Sequence, residues 1–204
     1  MNKDLRPGRS VCARCGRPSA TCLCGLLPGV PLMNRVALLV LQHPDEAREA
    51  KGTAPLLRLG LAGCELRIGE HFDPPEPVPG RDDWLLYPAD GDAPAPMPSV
   101  PAPGALRLIV LDATWRKSRR MLAENPWLQA LPRLALGEAA PSRYAALRKA
   151  RRGGQLATLE AVLLALHELE APPGSDPVSG PYAPLWQAFE RFVAASVARW
   201  TPPK

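Results

Sequence analysis

No stretch of the 204 residues is apolar for long enough to cross a bilayer, which takes about 20 consecutive apolar positions. The opening MNKDLRPGRSVCARCGR is basic and has no apolar core, so it is not a secretory signal. A cytoplasmic location, where thiols stay reduced, is the expectation that follows. A glycine-rich nucleotide fingerprint and a metal-catalytic histidine motif are both missing, and the chain contains no internal repeat.

What the chain does have is apolar content, proline and segregated charge. It is 46% hydrophobic and 22% charged, which suffices for a buried core and excludes a disordered chain or a coiled coil. Its length fits one ordinary domain with a small appendage. Proline reaches 26 of 204 residues against a usual ~5%. Ten of these fall within 71–105, so the excess is local.

The formal charge of +5 is unevenly spread. Residues 1–35 hold six basic and one acidic side chain, and residues 36–111 hold six and eleven. Residues 112–155 then hold ten and three, and residues 156–204 three and five. Two basic blocks flanking an acidic one are a usual footprint of a polyanion binder. Taken alone, a charge run reads equally as a solvated face.

Cys12-x2-Cys15-x6-Cys22-x-Cys24 gathers four thiols in thirteen residues. Four soft ligands at short spacing can close a tetrahedral thiolate shell around Zn²⁺, as a structural site requires. Arg14 and Arg17 stand ready to offset its negative charge. Redox-active cysteines are the alternative. Cys64, alone, reads as a small buried hydrophobe. On this pattern, 1–34 is a cysteine-rich zinc-binding segment and 35–204 the main domain.

Short apolar runs alternate with helical patterns along the main domain. Val36–Leu41 reads as a strand buried on both faces and ended by Gln42-His43-Pro44. Asp45–Leu61 reads as helical with a break before Pro55, and Cys64–Ile68 and Trp84–Tyr87 as strands. Residues 90–105 read as an extended Pro/Ala loop. Leu106–Leu111 is the clearest buried strand, followed by a helix over 115–123 that Asn125-Pro126 ends. A strand at Arg133–Leu136 and a helix around 143–150 come next. TLEAVLLALHELE then forms a helix with Thr158 as N-cap, and a last helix covers 184–199. The alternation predicts an α/β fold with a mostly parallel sheet flanked by helices.

In such a sheet, ligands bind beyond the carboxyl ends of the strands. Asp112 stands at one of these ends, as a site residue or as a helix cap, and Thr114 shares that ambiguity. Trp115 is either a stacking residue or part of the core. Arg116, Lys117, Arg119 and Arg120 crowd the next helix start, where cations oppose the macrodipole; phosphate contact is a reason for them. Arg148, Lys149, Arg151 and Arg152 form a second cluster. His43 reads as a structural, hydrogen-bonding histidine.

Asp112-Ala113-Thr114-Trp115 after a hydrophobic strand, with the N-terminal cysteine spacing, resembles the DTW-domain family. Further matching pieces are Gln42-His43-Pro44-x-Glu46, Lys51-x-Thr53, Leu86-Tyr87-Pro88, Ser142-x-Tyr144-x3-Arg148 and Leu156–Ala161. The resemblance spans about residues 10–200 in the family's order. It implies a SPOUT-like fold and transfer of the 3-amino-3-carboxypropyl group of S-adenosylmethionine to N3 of a tRNA uridine. It also implies Asp112, Thr114 and Trp115 as catalytic residues, with Asp112 receiving or positioning the N3 proton.

For S-adenosylmethionine, the resemblance implies Thr53, Leu86, Tyr87, Val110, Leu111, Gln155, Leu156, Ala157 and Thr158. For tRNA it implies the cations named above with Arg143. The alternatives are a SPOUT-type RNA methyltransferase and a non-catalytic zinc-bearing RNA-binding module.

Overall fold

A computed structural model describes residues 10–88, 99–137 and 156–200. The expected helix around 143–150 lies outside these, as does 90–98 of the Pro/Ala loop. In chain order the elements are β1 Ala37–Gln42, α1 Pro44–Arg48, α2 Ala54–Gly60, β2 Cys64–Ile68, β3 Asp82–Leu86 and β4 Leu106–Asp112. There follow α3 Trp115–Glu124, α4 Pro126–Gln129, β5 Arg133–Leu134, α5 Thr158–Glu170 and α6 Ala183–Trp200.

The strands form one sheet in the order β2-β1-β4-β3-β5, with all pairings parallel. This is the expected α/β architecture. The apolar runs build it because both faces are covered, so no polar alternation is needed. Leu38, Val40, Leu108, Val110, Trp84 and Leu86 face α2, α5 and α6. Their neighbours Leu39, Leu41, Ile109 and Leu85 face Met121 of α3 and Leu128 of α4. Successive side chains of one strand thus fill two separate cores.

Several local expectations are refined. The helix expected over Asp45–Leu61 is two short helices, parted at 49–53 where Gly52 and Pro55 weaken helical continuation. The strand expected to Leu136 stops at Leu134. Arg107, a cation inside the most apolar strand, is matched by its register partner Asp83, with paired contacts of 2.6 and 2.7 Å. The entry to β1 is tied down by Glu170. Its carboxylate accepts from the Arg35 and Val36 amides at 2.9 and 2.8 Å and from the Tyr182 hydroxyl at 2.8 Å.

The N-terminal segment packs on this body, with Leu23 and Leu27 joining the α2/α5/α6 core. Among the described residues, no helix is long and apolar enough to cross a membrane.

The tightest helix approach is at Gly60, where a Cβ would collide with the Leu185 side chain of α6. Leu185 is fully buried and has little room to yield. Gly60→Ala is expected to destabilise the fold by about 1–3 kcal/mol through overpacking. Urea unfolding at constant m-value checks this.

Candidate active site and thiolate knuckle

The chain leaves β1 toward β2 through α1 and α2, but leaves β4 in the opposite direction through α3 and α4. The carboxyl ends of β1 and β4 therefore flank the topological switch point, where open α/β sheets place ligands. Gln42 and Asp112 are register partners there. Both are buried, at 2% and 6% exposure, among strands that are otherwise apolar.

Asp112 does not cap α3. Its Oδ2 accepts from Gln42 Nε2 at 2.7 Å, and its Oδ1 from the Thr158 hydroxyl at 2.5 Å. Its main-chain carbonyl accepts from the His43 amide at 3.0 Å. One carboxylate thus joins β1, β4 and the first residue of α5. With two donors in place, an ionised carboxylate still has lone pairs for a further partner. Thr158 is not the N-cap that the sequence suggested, because its hydroxyl is committed to Asp112. Ala157 takes that position, and the buried Glu160 accepts from its amide at 2.7 Å.

Beside this carboxylate, Thr114 is the N-cap of α3 without a side-chain capping bond, and Trp115 begins the helix. Trp115 is 45% exposed and so is not a core residue. It meets Tyr87 edge to face, with ring centroids 5.9 Å apart. The Arg133 guanidinium lies 5.3 Å from the Tyr87 centroid, and Tyr87 Oη is 3.4 Å from Ser118 Oγ. The other strand-end residues divide by face. Leu86 and Val110 are core side chains and offer the crevice backbone only, while Leu111 lies on the α3/α4 side. Thr53 is buried at the start of α2, and Leu156 and Ala157 lead into α5. Gln155, Arg143, Arg148, Lys149, Arg151 and Arg152 lie outside the described residues.

The four α3 cations fall into two pairs. Lys117 Nζ binds Asp45 Oδ2 of α1 at 2.8 Å, which holds the Asp45 carboxyl below its usual range. Arg120 Nε binds Glu124 Oε1 one turn on, at 2.7 Å. Arg116 and Arg119 are exposed and have no acidic partner among the described residues.

His43 is structural, as expected: its Nδ1 accepts from the Asp45 amide at 3.1 Å and caps α1. Ser118 and Arg133 also line the site without any local pattern that marks them, and Gln42 is marked only as part of the Gln42-His43-Pro44-x-Glu46 motif. For Gln42 the available signal was a polar residue ending an apolar strand.

Cys12, Cys15, Cys22 and Cys24 converge, with all four sulfurs within 4.8 Å of one another. The Cys12–Cys24 and Cys15–Cys22 separations are both 3.7 Å. A tetrahedral Zn²⁺ with bonds of about 2.3 Å sets sulfurs about 3.8 Å apart, so the donor set fits that ion. Backbone amides of Cys15 and Arg14 lower the Cys12 thiol to about 6, while desolvation and the crowded sulfurs push Cys24 up to about 12. Arg17, next to the knuckle in sequence, donates to the Ala50 and Gly52 carbonyls at 2.9 and 2.8 Å.

Fold and site together define a parallel α/β protein with a carboxylate-centred crevice at the sheet's switch point and a four-thiol knuckle. The chain belongs to the DTW domain family, whose model matches residues 9–197. It is 30% identical over 182 residues to tRNA-uridine aminocarboxypropyltransferase 2 of Drosophila melanogaster, covering 85% of this chain and 72% of that one. It is 30% identical over 171 residues to the Macaca fascicularis protein of the same name, covering 79% and 57%. Against tRNA-uridine aminocarboxypropyltransferase A of Arabidopsis thaliana it is 29% identical over 139 residues, covering 59% and 53%. The chain thus spans little more than half the length of the last two. No solved structure matches it.

The purified protein is expected to retain one zinc per chain and to release it in acid as the thiolates protonate. Cys15→Ser should lower the metal content, whereas Cys64→Ser, on β2, should leave it unchanged. A colorimetric zinc assay after dialysis separates these outcomes.

Proposed function

We propose that this protein is a tRNA-uridine aminocarboxypropyltransferase, moving the 3-amino-3-carboxypropyl group of S-adenosylmethionine to N3 of a uridine. The observation that carries the reading is the Asp112 carboxylate, buried at the switch point and held by Gln42 and Thr158 beside the exposed Trp115. The similarly named relatives support it. Two aromatic rings beside the site, Tyr87 and Trp115, suit a ligand with a cationic sulfonium. S-adenosylmethionine supplies an electrophilic carbon next to its sulfonium.

The protein's own contribution is positioning, which supplies much of the acceleration in a displacement of this kind. Thr53, Tyr87 with the Leu86, Val110 and Leu111 backbone, and Leu156, Ala157 and Thr158 at the start of α5 serve the cofactor, with Gln155 assigned to the same role. Asp112 turns a free lone pair toward the uracil N3–H, orienting it and receiving its proton. Its two existing hydrogen bonds fix the direction of that lone pair, and Thr114 holds the turn that carries Trp115. Trp115 covers the base by stacking. The zinc knuckle of 1–34 is structural and sits outside the chemistry of the catalytic domain.

On the tRNA side, Arg116 and Arg119 bind phosphates, joined by Arg143, Arg148, Lys149, Arg151 and Arg152. Lys117 and Arg120 serve first as tethers to Asp45 and Glu124. Arg116→Ala with Arg119→Ala should weaken tRNA binding and flatten its salt dependence by about two counterions' worth of slope. S-adenosylmethionine binding should stay unchanged. Titrations at several salt concentrations check both.

The reaction class is tested with two parallel incubations on unmodified bulk tRNA, using S-adenosylmethionine labelled in either the carboxyl carbon or the methyl group. Carboxyl label alone should enter the RNA. Methyl label alone would establish methyl transfer instead, and tRNA binding indifferent to S-adenosylmethionine, with no label transferred, would leave a binding module.

A further inference from the structure

We infer that Arg17 is a positioning residue that couples metal occupancy of the four-thiol knuckle to the α1–α2 loop at residues 49–53, and so to S-adenosylmethionine binding. The clause about S-adenosylmethionine rests on the function proposed above; the coupling to the loop does not.

The argument begins with the local fold of the knuckle. The Cys12 amide donates to the Arg17 carbonyl at 2.8 Å, and the Gly16 amide to the Cys12 carbonyl at 2.8 Å. Gly16 has φ +70°, a conformation that other residues rarely adopt, so the turn carrying two of the four sulfurs also sets the Arg17 backbone. From there the Arg17 side chain reaches across more than thirty residues of sequence. It bridges the Ala50 and Gly52 carbonyls at 2.9 and 2.8 Å, while its guanidinium lies 5.7 Å from the Phe192 ring centroid of α6. Planar, forked donors make arginine suited to bridging two acceptors at once.

The loop that receives it has little slack. The Gly52 amide donates to Glu49 O at 2.9 Å, and a Cβ on Gly52 would meet the Glu46 and Glu49 carbonyls at 3.1 Å. Residue 53 is the buried Thr53, and α1, on the other side, starts directly after Gln42 and His43. Asp45 of α1 is in turn tied to Lys117 of α3. A shift at the Ala50 and Gly52 carbonyls therefore reaches both the Thr53 wall and the helix that follows Gln42.

The knuckle itself is seated independently. Leu23 and Leu27 are in the core, and Arg191 and Arg199 of α6 donate to the Leu26 and Ala20 carbonyls at 2.6 and 2.9 Å. Removing the Arg17 side chain thus cuts the link while leaving the knuckle docked.

The test uses the zinc-loaded full chain, with Arg17→Ala and Arg17→Lys compared with wild type. Arg17→Ala should keep one zinc per chain, speed amide exchange in 49–53 but not in α5, and raise the S-adenosylmethionine Kd about tenfold, within the usual range of site-to-site coupling. Arg17→Lys, which retains a cation over Phe192 and can reach a carbonyl, should recover part of both effects. Chelating the metal from wild type should reproduce the exchange change in 49–53. Unchanged exchange there with zinc retained overturns the coupling, as does equal acceleration in α5, which would mean general loosening. Should wild type bind no S-adenosylmethionine, the proposed function fails, and exchange in 49–53 still decides the coupling.

Discussion

The structure turns on a single buried carboxylate. Burying Asp112 is costly unless its oxygens are satisfied, and the fold satisfies them from two distant parts of the chain. Gln42 arrives because β1 and β4 pair in register, and Thr158 because α5 starts against the end of β4. A carboxyl group bound by two fixed donors in a poorly solvated setting is pre-organised. The sheet, with its two apolar cores, is the frame that makes this arrangement rigid. The topological reversal between β1 and β4 sets Asp112 at the position where open α/β sheets place ligands.

Around that point the molecule separates tasks by residue type. Aromatic groups line the crevice rim, where Trp115 and Tyr87 meet edge to face and Arg133 lies over Tyr87. Cations in α3 divide into those that brace the fold and those that remain exposed. Lys117 links α3 to α1, so the helix that begins with Trp115 and the helix that follows Gln42 are held by one ion pair. On the other side of α1, Arg17 brings the thiolate knuckle into the same structure. The three segments behind the crevice are therefore mechanically linked, although they are remote in sequence.

Much of the fold was legible in the chain. The pattern gives β2 its observed ends, and β1, β3, β4, α3 and α6 to within two residues, because apolar runs stopped by proline or asparagine leave few alternatives. The four-cysteine cluster was legible for the same reason: its spacing constrains it. Other features were not, since they depend on contacts between distant residues. Thr158 looked like a cap by local rules, yet its hydroxyl is taken by a carboxylate 46 positions earlier. Arg17 bonds two carbonyls 33 and 35 positions later, contacts that no local pattern announces. Charge counting could not distinguish Lys117 from Arg116, because Asp45 meets α3 only in the folded chain. Gln42 belongs to a motif, but its role depends on the register that sets it opposite Asp112.

The most direct test of the central claim is single-turnover transfer by Asp112→Asn, measured alongside S-adenosylmethionine affinity. Asparagine keeps the size of the side chain, and the Gln42 amide can turn to remain bonded, so the junction of β1, β4 and α5 should survive. The account requires S-adenosylmethionine affinity to stay near that of wild type while the transfer rate falls by about 10²-fold or more, the scale of a lost proton-accepting group. A variant that binds S-adenosylmethionine normally and transfers at close to the wild-type rate would contradict it, leaving Asp112 as a structural link only.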